Sequence, residues 1–193
     1  YLGTSGLQVY ARHSRVDYTL GDDFAALNAN GKAVVTSAGL SYPLAKSRSF
    51  SLAANLGYEH KKLTDTTGAA SEQRTDNLWN FGLSGQFSDS WGGGGANAFS
   101  LVYTHGNLKD DSAAAIAADA VSGVAGGFGK WALNLQRQQH LRKNLQLNLS
   151  FAGQKASKNL HSSEKFYLGG PTGVRAYPQS EADGDEGYRF TAE

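Results

Sequence analysis

The stretch Trp79-Asn80-Phe81-Gly82-Leu83-Ser84-Gly85-Gln86-Phe87-Ser88 sets large apolar side chains against small or uncharged polar ones at nearly every second position. Only an extended backbone sends alternate residues to opposite faces, so this period of two predicts a β-strand with one apolar and one hydrated face. The pattern recurs to either side. Phe50, Leu52, Ala54, Leu56 and Tyr58 alternate with Ser51, Ala53, Asn55, Gly57 and Glu59. Phe99, Leu101 and Tyr103 alternate with Ser100, Val102 and Thr104, and Leu145, Leu147, Leu149 and Phe151 with Gln146, Asn148, Ser150 and Ala152. Val34 to Leu44 and Trp131 to Gln136 follow it less regularly. From Leu7 to Leu20 the apolar parity changes between Val9 and Val16, which predicts a β-bulge. With Tyr188 to Glu193 as the opening of a last strand, the count is eight, joined as antiparallel up-and-down neighbours.

Alternation alone does not say whether the apolar face meets a core or lipid. The connections do. Short ones are predicted at Pro43 to Arg48, Asp89 to Gly95 and His140 to Lys143; long polar ones at Gly21 to Gly31, Lys61 to Arg74, Lys109 to Gly127 and Leu168 to Gly187. Short and long connections in strict alternation are the signature of an outer-membrane barrel, with short periplasmic turns and longer extracellular loops. Segments of ten or more residues also match the nine to eleven that cross a bilayer at a tilt. Asn55, Asn80, Gln86, Asn134, Gln136, Gln146 and Asn148 on the second face would each cost several kcal/mol if buried unpaired, and little in a water-filled lumen. Tyr42, Tyr58, Phe87 and Trp91 suit the headgroup boundary. The fold class expected is all-β, a fragment of an antiparallel transmembrane β-barrel. Asp110 to Ser122, rich in alanine and with Asp110, Asp111 or Ser112 to cap it, predicts one helix inside an extracellular connection.

Composition is consistent with this. The 193 residues include 24 glycines, no cysteine and no methionine, with Tyr1 at the start, so the chain is expected to be a piece of a larger protein. Eighteen basic and 17 acidic residues nearly cancel, which argues against a nucleic-acid partner. Mean hydropathy is −0.42 and no apolar run approaches the length of a membrane helix. Chemistry is not evident either. His13, His60, His105, His140 and His161 have no ligand-like spacing, and Gly92 to Gly95 opens no helix that would cradle a phosphate. Glu181, Asp183, Asp185 and Glu186 lack the ligand pattern of a known calcium loop. No enzyme, cofactor or metal is expected.

The remaining stretch, Phe166-Tyr-Leu-Gly-Gly-Pro-Thr-Gly-Val-Arg-Ala-Tyr-Pro178 with Gln179 to Gly187 behind it, is too long and too glycine-rich for an ordinary hairpin turn. Gly169, Gly170, Pro171, Gly173, Gly184 and Gly187 supply the hinges, and Val174, Arg175, Ala176 and Tyr177 an apolar tip carrying one guanidinium. This loop resembles the long sixth extracellular loop of the two-partner-secretion transporters, the FhaC/ShlB (TpsB) family of the BamA-like superfamily. The family's Val-Arg-Gly-Tyr has Ala176 at its third position here. Ser41-Tyr-Pro-Leu44 and its short turn also match.

The resemblance implies a monomeric sixteen-stranded barrel in the bacterial outer membrane. Residues 1–193 would form part of that one barrel domain, with two periplasmic POTRA domains and the final strands outside this stretch. It further implies export, without ATP, of a large TpsA-type exoprotein such as a haemolysin or adhesin, with the loop folded into the lumen and Arg175 meeting a carboxylate further along the chain. Alternatives are a BamA- or TamA-like insertase, a diffusion porin and a soluble β-sandwich.

Overall fold

The computed structural model describes residues 6–19, 28–169 and 182–193. Among these, eight strands form one sheet in chain order: β1 (Gln8–Thr19), β2 (Asn30–Lys46), β3 (Phe50–Thr67), β4 (Ala70–Asp89), β5 (Gly95–Asp110), β6 (Gly126–Arg142), β7 (Leu145–Ala156) and β10 (Gly187–Ala192). Every neighbouring pair is antiparallel, and the sheet is open, with β1 and β10 at its edges. The helix α1 (Ala113–Ser122) lies between β5 and β6, and β8 (Phe166–Tyr167) pairs with β9 (Asp183–Gly184) between β7 and β10.

The two faces are inverted relative to a soluble sheet. Leu40, Leu56, Trp79, Phe81, Leu83, Leu101, Trp131 and Leu135 share one face and are exposed. The other carries polar ladders, with Asn55 Nδ2 donating to Ser84 Oγ at 2.9 Å and Thr104 Oγ1 to Asn80 Oδ1 at 2.6 Å. An apolar surface this wide would not face water in a soluble domain. Its limits are marked by rings. Tyr58 packs on Trp79 and Tyr103 on Trp131, each with centroids 4.9 Å apart. Phe87 lies eight residues further along β4, about 26 Å of strand at 3.3 Å per residue. At a tilt near 40° that is about 20 Å of height, close to the apolar band of a membrane barrel.

Three expectations are corrected. Lys61 to Arg74 is not a long connection: β3 runs to Thr67, β4 starts at Ala70, and the two pair without interruption. These strands, of 18 and 20 residues, continue well past the Tyr58–Trp79 ring, and Tyr58 is therefore not at a strand end. The bulge predicted in β1 is absent, since Gln8 to Thr19 pairs with Ser41 to Asn30 in unbroken register. β1 carries Val9 on the bare face and Tyr10, Val16 and Tyr18 on the hydrated one, the two tyrosines lying over Gly39 and Gly31, where an added Cβ would fall 2.5 and 2.3 Å from their rings. The register shifts lie instead at Pro43/Ala45 in β2, where proline has no N–H to give the ladder, and at His140/Arg142 in β6.

The predicted helix is present and capped at both ends. Ser112 Oγ accepts from Ala115 N at 3.2 Å, and Gly123 closes the helix in the left-handed region at φ 62°. Asp119 Oδ1 accepts the N–H groups of Val124 at 2.6 Å and Ala125 at 2.8 Å, which hold its carboxyl below the usual range.

Candidate functional site

The polar face is covered near the long-connection end by residues 157–168, the leg of chain that leaves β7. Its hydrophobic foot is Leu160, 1% exposed, packed with Leu78 and Phe128 against Ala156. Phe128 reaches this position because Gly106, opposite it on β5, has no side chain; a Cβ there would lie 2.2 Å from the ring.

Electrostatics fix the leg a few residues later. His161 caps a short 3-10 turn, Ser162–Glu164, its ring nitrogen accepting from Ser163 N at 3.3 Å. Burial, with Arg74 nearby, pushes this imidazole below its ordinary pKa. The turn delivers Glu164, 4% exposed, between two lysines of the polar face: Lys61 on β3, which also pairs with Glu59 at 2.9 Å, and Lys130 on β6 at 2.8 Å. Burial pushes the Glu164 carboxyl up, but the two ammonium groups outweigh it and hold the group below the usual carboxylate range. Gln154 on β7 ties both legs of the loop together, its amide donating to Glu164 O at 3.0 Å and Asp185 O at 3.2 Å. Asp185 Oδ1 in turn accepts from Leu160 N at 2.8 Å.

Asp76, on β4 across from Lys61, is fully buried beneath this leg, and among the described residues neither of its oxygens has a hydrogen-bond partner. Arg74 beside it pairs with Glu72 at 2.7 Å and Asp110 at 2.9 Å.

Of the sequence-predicted residues, Gly169 is buried at the end of the described leg, while Gly170, Pro171, Gly173, Val174, Arg175, Ala176 and Tyr177 lie outside the described residues. Gly184 pairs with Phe166, and Gly187 with Gln154. Both glycines answer to space: a Cβ on Gly187 would meet the Phe166 ring at 3.0 Å, and one on Gly184 the Glu186 carbonyl at 3.0 Å. Asp183 pairs with Lys165 at 3.0 Å, so neither it nor Asp185 is left as a bare carboxylate. Sequence reasoning missed Lys61, Asp76, Lys130, Gln154 and Glu164. The available signal was parity: Glu59, Lys61, Arg74 and Asp76 continue the polar face of β3 and β4 into the stretch taken for a loop.

Known proteins share the family pattern of the sequence and the fold. A family model for the haemolysin secretion/activation protein ShlB/FhaC/HecB matches residues 2–193. The heme/hemopexin transporter protein HuxB of Haemophilus influenzae is 31% identical over 184 residues, 92% of this chain and 32% of that protein; HuxB of strain 86-028NP is 30% identical over 181 residues, 91% and 31%. The chain thus spans about a third of the length of these relatives. Among solved structures, CdiB from Escherichia coli superposes with a TM-score of 0.81 at 19% identity, covering 96% of this chain and 35% of that one. CdiB from Acinetobacter baumannii gives 0.68 at 17%, covering 96% and 33%.

Proposed function

The chain belongs to the ShlB/FhaC/HecB family of haemolysin secretion/activation proteins, and on that footing we propose that it is barrel wall from an outer-membrane transporter that exports a large haemolysin- or adhesin-type partner without ATP. The observation that carries this reading is the seating of residues 157–168 on the hydrated face by Glu164, Lys61 and Lys130, while the opposite face is bare and apolar. Lipid takes the bare face. The hydrated face lines a lumen through which an unfolded chain passes, and the loop is that lumen's movable occupant. In this orientation the turns at residues 47–49, 90–94 and 143–144 face the periplasm, and Gly68 and α1 face outward.

Val174, Arg175, Ala176 and Tyr177 form the working tip of the loop, and Gly169, Gly170, Pro171, Gly173, Gly184 and Gly187 its hinges. A guanidinium brought into the barrel on an apolar tip needs a carboxylate to offset its desolvation, so Arg175→Lys retains part of the function that Arg175→Ala loses. The barrel acts as a monomer and carries no catalytic group.

The reading is tested with the full-length protein as the sole protein in liposomes, offered its unfolded partner exoprotein from the POTRA side with no nucleotide present. Protease-protected exoprotein should accumulate inside. Protection no greater than in empty liposomes, or only when ATP is added, overturns the proposal.

A further inference from the structure

The bare face is not uniform. At its short-turn end one row of paired residues, Phe99, Leu135, Phe151 and Phe190, crosses β5, β6, β7 and β10. Beside it Phe87 and Leu149 complete the walls of a groove of about 400 Å³. In the same row as Phe87 and Leu149, and lining the groove with them, is Arg137. Its guanidinium is used up within the protein: Nη1 donates to Asp89 at 2.7 Å and Asn97 at 2.7 Å, Nη2 to Asp89 at 3.0 Å, and Nε to Gln139 at 2.9 Å, with the Trp91 ring 5.2 Å away. Further down, Arg142 pairs across from Leu145, and Lys143 follows it in the turn; both are exposed and enter no ion pair with a described residue.

We infer that this part of the wall is a seat for one anionic glycerophospholipid of the periplasmic leaflet. An acyl chain lies along Phe99, Leu135, Leu149 and Phe151, and the phosphate rests against Arg142 and Lys143. The spacing suits such a molecule. From the Leu149 row to the Leu145 row is four residues, about 13 Å of strand, comparable with the reach from a phosphate to the upper part of its acyl chains. The charge also discriminates. Asp89 neutralises Arg137, which leaves Arg142 and Lys143 as the surplus, so a headgroup with net negative charge is favoured over a zwitterionic one. Trp91, 75% exposed, stands at the same level, where an amphipathic ring belongs.

The inference rests on the outer-membrane reading above, and its test separates the two. The full-length protein, delipidated in detergent, is titrated with phosphatidylglycerol or phosphatidylethanolamine and examined by native mass spectrometry, and the same variants are assayed for partner export in cells. Wild type should retain one phosphatidylglycerol at several-fold lower concentration than phosphatidylethanolamine. The double variant Arg142→Gln, Lys143→Gln should abolish that preference, and Leu149→Trp, which fills the groove, should weaken retention of both lipids. Export by these variants stays near the wild-type level. Equal retention of the two lipids by wild type, or a preference unchanged in the double variant, overturns the seat and leaves the transporter standing. Loss of export with lipid retention intact would count against the reading of the barrel instead.

Discussion

Lys130 grips Glu164 twice: its Nζ lies 2.8 Å from the carboxylate and 2.9 Å from the same residue's backbone carbonyl. A lysine on one strand thus holds both the side chain and the backbone of a residue 34 positions later. Removing one member of a buried ion pair costs about 3–5 kcal/mol, because the other charge stays behind without compensation. Glu164→Gln should therefore free the leg 157–168 while the sheet remains. Hydrogen exchange at Leu160 and Leu168, whose N–H groups are bonded to Asp185 Oδ1 and Ala182 O, should quicken by about a hundredfold or more. Unchanged exchange in the variant would show that the ion pairs do not anchor the leg.

The same anchor sets a pH dependence. The folded carboxyl of Glu164 titrates below its unfolded value of about 4.3, so between the two the unfolded leg binds more protons and anchoring rises with pH. The contribution is complete above about pH 5 and is lost as pH falls through the depressed folded value. His161 in the same leg is held below its ordinary pKa and adds its own loss of anchoring as pH falls from about 6.5, so the Glu164 step is read in a His161→Asn variant. There protease cutting should be flat from pH 7 to 5 and rise only in stronger acid, and a midpoint near neutrality would contradict this assignment.

Mid-wall residues separate the two faces. Leu101 sits in the row of Leu83 and Leu133 on the apolar face, and Ser100 beside it points to the hydrated one. Leu101→Arg should cost about 2–4 kcal/mol and Ser100→Arg much less. Denaturant titration of the full protein in lipid measures both, and equal losses would mean the faces are misassigned.

Gly106 provides a packing test. Valine there would drive Phe128 and Leu78 apart, an overpacking that costs typically about 1–3 kcal/mol. Gly106→Val should loosen Leu160 and the leg with it, seen as faster exchange at that amide. A leg as protected as in wild type would remove Phe128 from the anchor.

The strands were legible where one face meets something apolar and the other water, as from Phe50 to Tyr58 and Trp79 to Phe87. Where β3 and β4 rise past the Tyr58–Trp79 ring, the bare face is no longer apolar. Lys62, Thr64, Gln73 and Thr75 then replace the alternation, and a continuous hairpin reads as a polar loop. In β1 the misleading residue was Val16, which shares the hydrated face with Tyr10 and Tyr18 while Val9 lies on the other; the two tyrosine rings fill space left by glycines on a neighbouring strand, a relationship that only the register reveals. Glu164 was invisible for a similar reason. Ser162-Ser163-Glu164-Lys165 has no pattern of its own, and its role comes from lysines 103 residues before it and 34 before it in the chain.

The most direct test of the proposed export role is the amount of partner exoprotein that reaches the medium from cells lacking this protein and complemented with nothing, with the full-length protein, or with its Arg175→Ala variant. Wild type should restore export. The variant should remain at the level of the uncomplemented cells while keeping the heat-modifiable mobility of a folded barrel. Equal amounts in all three cultures would contradict the account.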